Sequence, residues 1–129
     1  MVEVADRPAS PEDCLALRQA AGVSGFRLAS VRAGLANTLL GACLRAGGRL
    51  VGMGRVTGDG RCFAQITDIA VAPAFRGGQH GGVIVARLME RCGARMSRGC
   101  HVRLLADPRA ERLYERAGFA SRTGMAQVP

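Results

Sequence analysis

The chain has 129 residues, of which 48% are hydrophobic and 22% are charged, and this balance predicts one globular domain over residues 1–129. It excludes a disordered tail and a two-domain assembly. All 18 basic residues are arginines and stand against ten acidic residues, so the formal net charge is +8. This surplus of planar, permanently charged groups predicts an anionic partner, although a GC-rich coding sequence would also explain the absence of lysine.

The first predicted element is a helix over residues 11–21. Ser10 offers a hydroxyl to cap the first free amides, Pro11 suits the first helical position, and two acidic residues follow in the first turn. Gly22 ends this helix. A second short helix is predicted over residues 31–37.

Three strands of an antiparallel meander come next, over residues 38–45, 49–56 and 61–71. A Gly-Gly pair joins the first two strands, and an Asp-Gly turn joins the second to the third. Pro73 ends the pairing because proline has no N–H to donate. Within the second strand, Gly52 and Gly54 predict either a weakened strand or the close approach of another backbone.

The rest of the chain predicts two helices and two strands. The helices span residues 83–95 and 108–116, the second of them capped by Asp107, and the strands lie at 101–105 and within 119–128. This order of elements predicts a single α/β domain.

Other features exclude several classes of protein. No apolar run approaches the roughly 18 to 20 residues of a membrane span, and the first seven residues lack the order of a signal peptide, which predicts a cytoplasmic protein. The five cysteines have no CxxC spacing, so we expect reduced, mostly buried thiols and no metal site. With 4% aromatic residues and no Trp, the chain lacks the stacking platforms of single-strand nucleic-acid binders.

A glycine-rich turn joins the third strand of the meander to the next helix. Residues 76–82 read Arg-Gly-Gly-Gln-His-Gly-Gly, with four glycines among seven residues. Free amides at a helix N-terminus form an anion site, so the turn predicts a phosphorylated ligand, although such glycines also serve turns that bind nothing. A P-loop is excluded because the chain has no lysine, and a dinucleotide fingerprint because the turn follows an antiparallel meander.

Residues 68–81 resemble motif A of the GNAT superfamily of N-acetyltransferases, whose loop reads Q/R-x-x-G-x-G/A. Residues 113–119, which read LYERAGF, are similar to the later LYEKxGF segment of this superfamily. Residues 50–56 and 124–125 resemble its meander strand and closing strand, so the likeness runs from about residue 11 to 125 in the family's order. The resemblance implies a mixed, mostly antiparallel central sheet flanked by helices, which is an α+β arrangement.

The same resemblance implies a binding site for acetyl-CoA. Its residues are Ile69, Ala70, Val71, Arg76, Gly77, Gly78, Gln79, His80, Gly81, Gly82 and Asp107. The first three would offer an opened strand edge to the pantetheine arm, and the loop amides would hold the pyrophosphate. Gln79 stands where the family has glycine, which predicts either a strained positive φ there or a turn absorbed by Gly78.

Two residues are candidates for catalysis. The resemblance implies that Tyr114 is the general acid, and the alternative is a half-buried helix aromatic whose hydroxyl binds backbone. Asp68 is a candidate to orient or deprotonate the amine, and the alternative is a structural carboxylate bound to a neighbouring strand or to an arginine such as Arg55. We expect His80 to line the phosphate site or point to solvent, and His101 is a weaker alternative base.

The expected function is therefore direct transfer of an acetyl group from acetyl-CoA to a primary amine of a small molecule or peptide. The main alternative is a CoA-binding regulatory domain with little transferase activity, which Gln79 and the unassigned base motivate. A nucleic-acid binder would use the charge of +8 but lacks a recognition helix. The expected partners are acetyl-CoA and an amine, without nucleic acid or membrane, and the resemblance also admits a homodimer.

Overall fold

The computed structural model describes residues 1–23 and 25–129. Its strands are β1 (Val2–Ala5), β2 (Leu40–Ala46), β3 (Arg49–Gly58), β4 (Phe63–Val71) and β5 (His101–Arg103). Its helices are α1 (Pro11–Ala20), α2 (Leu28–Leu35), α3 (His80–Arg95) and α4 (Glu111–Arg116). The strands form one sheet in the order β1-β2-β3-β4-β5, with three antiparallel pairings followed by a parallel one between β4 and β5. This is the mixed, mostly antiparallel α+β fold that the sequence predicts.

The local signals for caps and turns are confirmed. The Ser10 hydroxyl accepts a hydrogen bond from the Asp13 N–H at 3.2 Å, where α1 begins. Gly47 and Gly48 both have positive φ in the turn between β2 and β3. One carboxylate oxygen of Asp59 accepts three backbone N–H bonds of 2.7 to 3.0 Å, and these bonds hold the pKa of Asp59 below its ordinary value.

The main differences from the predicted helix boundaries concern three helices. α2 begins at Leu28 rather than at residue 31, and α3 begins at His80, so the last glycines of the turn belong to its first helical turn. The predicted helix over 108–116 divides into a 3-10 turn, Pro108–Ala110, followed by α4. Asp107 caps this 3-10 turn by accepting a backbone N–H bond at 2.9 Å, as the sequence predicts.

The strand predictions are wrong at both ends of the chain. The sequence does not predict β1, because its Val-Glu-Val alternation is too short to identify a strand and its four residues are ordered by pairing with β2. β5 ends at Arg103, and no strand forms within residues 119–128, although Gly124 and its neighbour resemble a closing strand. Met125 and Val128 are 91% and 95% exposed, so no buried face fixes a strand register there.

Helices cover both faces of the sheet. On one face, Ile84 and Leu88 of α3 pack with Val56 of β3. On the other face, Leu17 of α1 packs with Met53 of β3. The side chains of Cys14, Cys43 and Cys92 are buried, whereas Cys62 is exposed. Within the described residues, no helix combines the length and the apolar character needed to cross a membrane.

The pairing of β3 with β4 contains a bulge. Met53 pairs with Ala70, whereas Arg55 pairs with Thr67. Two residues of β4 therefore stand opposite one residue of β3, Gly54. Such an insertion bends the strand and shifts the alternation of its side chains by one residue.

The bulge changes which residues of β4 face which helix. Ile66, before the bulge, packs in the core beneath α3, and after the bulge it is Ile69 that packs there. Ala70 packs on the opposite face, with α1. An unbroken strand would place residues 66, 68 and 70 on one face, so the bulge turns Asp68 away from α3. Asp68 itself has a φ of +58°, in the left-handed region.

Gly54 makes room for side chains rather than for another backbone, which corrects the expectation from the sequence. A Cβ on this residue would lie 2.5 Å from Ile69 Cδ1, 2.7 Å from Ile84 Cγ2 and 3.1 Å from Leu88 Cδ1. These side chains belong to the bulged strand and to α3. Gly54 therefore allows the bulge and the helix to pack against the same point of β3.

We predict that Gly54→Ala destabilises the protein by about 1–3 kcal/mol, because the added methyl overpacks this contact. Gly93→Ala is the control, since a Cβ in this part of α3 meets nothing within 4 Å. Alanine there should stabilise the helix by about 0.5–1 kcal/mol. Urea denaturation measures both variants, and equal stability of Gly54→Ala and the wild type would contradict the packing argument.

Candidate active site

The edge of β4 opens because β5 separates from it. Three pairs join the two strands: Phe63 with His101, Ala64 with Val102 and Gln65 with Arg103. Among the described residues, no strand pairs with this edge of β4 beyond the third pair. The backbone of Ile69, Ala70 and Val71 therefore lies on an open strand edge, where an extended ligand can form main-chain hydrogen bonds.

The glycine-rich turn continues directly from the open edge. Gly77 has a φ of +84° and Gln79 a φ of +66°, whereas Gly78 does not take a positive φ. The first hydrogen bond of α3 runs from the Val83 N–H to the Gln79 carbonyl at 3.1 Å. In the part of the chain that the structure describes, nothing accepts a hydrogen bond from the six amides of residues 77–82.

These amides have the chemistry of an anion site. They stand at the positive end of the 16-residue helix α3, whose first turn carries no acidic side chain. A Cβ at Gly77 or Gly82 would meet nothing within 4 Å, so the backbone is accessible to a ligand. The residues present therefore fit a phosphate or pyrophosphate group.

Gln79 itself takes the strained conformation, so the alternative in which Gly78 absorbs the turn is wrong. A left-handed conformation costs a residue with a Cβ about 1–2 kcal/mol, and the Gln79 side chain forms no capping hydrogen bond that would offset the cost. His80 is half-buried, and its ring packs edge-on against Phe75 with 5.8 Å between centroids. His80 therefore lies against the loop rather than pointing freely into solvent.

α4 packs beside the loop through Leu113, the residue that precedes Tyr114. A Cβ at Gly81 would lie 3.0 Å from Leu113 Cδ1 of α4 and 4.0 Å from Val71 Cγ2 of β4. The open edge, the loop and α4 therefore meet at Gly81. Substitution of this glycine by a larger residue would force them apart.

Tyr114 is 9% exposed, and its ring packs edge-on against Phe119 with 6.2 Å between centroids. Burial raises the pKa of the Tyr114 hydroxyl, and the negative charge of Asp107 adds to the effect. No described residue forms a hydrogen bond with this hydroxyl, so the backbone bond of the alternative interpretation does not occur among them. The group is a protonated donor with no internal acceptor among those residues.

Asp68 lies between two arginines. Arg18 Nη1 donates to one carboxylate oxygen, and Arg55 Nε donates to the other at 2.7 Å. The Asp68 side chain is 10% exposed. Sequence reasoning proposed Arg55 as a partner but missed Arg18. The sequence does contain a pattern that could have indicated Arg18. Arg18 follows Cys14 by four residues, which places the two side chains on the same, buried face of α1.

Other basic groups have specific partners. Arg76 donates to the Ala21 carbonyl at 3.0 Å and so connects the loop to the end of α1. Arg87 pairs with Asp6, and Arg91 donates to the Gly41 carbonyl at 2.9 Å. These helix arginines hold neighbouring segments of the fold and do not form a free basic face.

His101 is remote from the open edge. It pairs with Phe63 at the other end of β4, six residues before Ile69, and a strand rises about 3.3 Å per residue. This spacing places it about 20 Å from the edge, too far to take a proton there. Within the described ranges, no group of three or more His, Cys, Asp or Glu comes together.

An open strand edge that leads into unpaired loop amides is the site of a protein that binds an extended, phosphate-bearing ligand. The chain matches the acetyltransferase (GNAT) family model over residues 15–119. It is 30% identical over 115 residues to a glucosamine 6-phosphate N-acetyltransferase of Trypanosoma brucei brucei, across 80% of this chain and 75% of that protein. The chain belongs to the GNAT acetyltransferase family.

Solved structures agree with this assignment. A protein of unknown function from meticillin-resistant Staphylococcus aureus, named a probable acetyltransferase, is 35% identical with a TM-score of 0.93, covering 100% of this chain and 99% of that one. Glucosamine-6-phosphate N-acetyltransferase from Arabidopsis thaliana is 17% identical with a TM-score of 0.72, covering 100% and 98%, and shows the fold alone. The predicted family and enzyme class are confirmed: the chain is an acyltransferase of a family that uses acetyl-CoA and an amine acceptor.

We predict that Gln79→Gly stabilises the protein by about 1 kcal/mol, because glycine adopts a positive φ without strain. Gly77→Ala is the matched control, in which the opposite effect is expected. The φ of Gly77 is +84°, and a Cβ at this position would meet nothing within 4 Å. It should destabilise by about 1 kcal/mol through backbone strain alone. Urea denaturation provides both values, and a destabilised Gln79→Gly variant would show that the glutamine side chain contributes a stabilising contact.

Proposed function

We propose that the protein transfers an acetyl group from acetyl-CoA directly to a primary amine of a small molecule or peptide. One observation carries the proposal: the open edge at residues 69–71 leads into six loop amides that have no acceptor among the described residues. Bound acetyl-CoA supplies an acetyl thioester as the electrophile. The loop amides of residues 77–82 would hold its pyrophosphate. Arg76 directly precedes these amides in the chain, and Asp107 is included as a cofactor contact only on the family resemblance.

The backbone of β4 would activate the thioester. On the open edge, the N–H groups of Ile69 and Val71 can donate to the pantetheine arm and to the thioester carbonyl oxygen, whereas the N–H of Ala70, between them, faces β3. Backbone donors fixed in a strand need no reorganisation as negative charge develops on that oxygen, which makes them efficient catalysts. This step needs no side chain.

Tyr114 would act as the general acid. Its hydroxyl has no acceptor among the described residues, and its raised pKa keeps the proton on the oxygen at neutral pH. It can therefore donate to the sulfur that leaves as the amine attacks. For Asp68, the contacts with Arg18 and Arg55 support the structural alternative, because both carboxylate oxygens already accept hydrogen bonds. The amine would then lose its proton to water.

The acceptor is the least determined part of the reaction. The Trypanosoma relative is named for glucosamine 6-phosphate, a small primary amine that carries a phosphate. The net charge of +8 favours an anionic acceptor over a cationic polyamine. We therefore place phosphorylated amino sugars first among the acceptors to test.

The remaining expectations stay proposals: a cytoplasmic location, action without nucleic acid or membrane, and a homodimer. The exposed edge of β5 and the exposed segment over residues 120–129 support the homodimer, because each offers unpaired backbone to a second copy. Sedimentation equilibrium tests it, and a monomer at micromolar concentration would contradict it.

We predict that acetyl-CoA and CoA raise the melting temperature, whereas short duplex DNA does not at either low or high salt. A thiol-release assay over an amine panel, with one longer acyl-CoA, then measures transfer. Glucosamine 6-phosphate should be acetylated faster than spermidine. Binding of CoA without thiol release for any amine would favour the regulatory alternative, and no stabilisation by either CoA species would reject both functions.

We predict that Tyr114→Phe lowers kcat by about 10²- to 10⁴-fold, the usual contribution of a positioned general acid. In the wild type, the loss of activity at high pH that comes from this group should lie above pH 10, because the Tyr114 pKa is raised from 10.0. The variant should lack that loss. Stopped thiol-release assays between pH 7 and about pH 11 check both points, and an unchanged kcat and pH profile would rule out the acid role.

A further inference from the structure

The carboxylate of Asp68 joins three separate elements of the fold. It lies on β4 and pairs with Arg18 of α1 and Arg55 of β3. The exposed fractions of the three side chains are 10%, 8% and 18%, so the cluster is shielded from water. A buried carboxylate between two guanidinium groups compensates charge on each of them, and its removal leaves buried positive charge unbalanced.

Both arginines extend this contact to the segment that precedes and contains α2. Arg55 Nη1 also donates to the Gly34 carbonyl and to the Thr38 hydroxyl, at 3.2 Å each. The Arg18 guanidinium lies over the ring of Phe26, 4.5 Å from its centroid. We expect this region, around residues 26–37, to be one of two segments that shape the acceptor site, the other being residues 55–63.

The cluster also lies at the strained point of β4. Asp68 has a φ of +58°. A non-glycine residue keeps this strained conformation only when contacts with the surrounding structure stabilise it. Gly54 supports the bulge on the α3 face by leaving space for Ile69. The two arginines support it on the opposite face, through the side chain of the strained residue itself.

We propose that Asp68 is a positioning residue for acetyl transfer. Its ion pairs with Arg18 and Arg55 hold the bulge, which sets the direction of the open-edge amides that follow at residues 69–71. The same ion pairs fix the acceptor-side segment relative to that edge. Asp68 thus acts on the reaction through the backbone, without taking a proton from the amine. This inference rests on the proposed function for its catalytic part and on the fold alone for its structural part.

The test is Asp68→Asn, because asparagine tolerates a positive φ and keeps the shape of the side chain while removing its charge. The control is Glu12→Gln. Glu12 pairs with Arg32 at 2.7 Å between α1 and α2, but these side chains are 59% and 61% exposed, so this ion pair contributes little. Arg55→Lys is a second variant that keeps the charge and loses the guanidinium fork. All variants are assayed below their melting transitions.

We expect Asp68→Asn to lower kcat by about 10- to 100-fold, the effect of a small misplacement of reacting groups. The rise of kcat/KM with pH, which reports deprotonation of the amine, should keep its shape. Hydrogen exchange at the Ala72 amide, which donates to the Val51 carbonyl of β3 at 2.8 Å just after the bulge, should become faster when it is measured by NMR without any substrate. Arg55→Lys should show the same changes to a smaller degree, and Glu12→Gln should show none of them.

Each alternative gives a different result. Wild-type kcat and exchange rates in Asp68→Asn would overturn the proposal, and loss of the pH-dependent rise would instead identify Asp68 as the base. If Asp68→Asn does not fold, the same measurements of kcat, pH dependence and hydrogen exchange on Arg55→Lys test the proposal instead. If the wild type acetylates no amine, the proposed function fails. The exchange rates still decide whether Asp68 holds the edge.

Discussion

The two-against-one bulge in β4 is the constraint on which the rest of the site depends. It lets Ile69 pack beneath α3 while Asp68 faces α1, although Asp68 lies two residues after Ile66, which also packs beneath α3. A regular strand would bury the Asp68 carboxylate under α3, among aliphatic side chains, at a large cost in desolvation. The bulge avoids that cost, and two complementary features maintain it: the missing side chain of Gly54 and the paired charges of the arginines.

The site separates two kinds of electrostatic interaction. In the proposed function, the anionic ligand is bound mainly by uncharged backbone amides at the start of α3, where the helix dipole and a first turn without acidic residues favour negative charge. The arginines have another use, since Arg18, Arg55 and Arg87 pair with acidic side chains that connect distant segments. The net charge of +8 therefore indicates that the ligand is negatively charged, but it does not indicate which groups bind it.

Sequence reasoning succeeded where the decisive interaction is local. The Ser10 and Asp107 caps, the Gly47-Gly48 hairpin and the loop at residues 76–82 each depend on contacts within about four residues. It failed where a partner lies far along the chain. β1 is ordered by β2, which lies some forty residues later in the chain. The strand predicted within residues 119–128 does not form, because among the described residues no strand pairs with it.

By itself, the sequence determined the fold class, the family resemblance and the position of the glycine-rich loop, because glycines, caps and apolar spacing act on the backbone nearby. The tertiary structure decided that Gln79 takes the left-handed turn and that His101 lies too far away to serve as a base. It also decided that Asp68 faces Arg18. The outcomes for His101 and Asp68 depend on strand register, because a one-residue shift in pairing reverses the face of every side chain that follows.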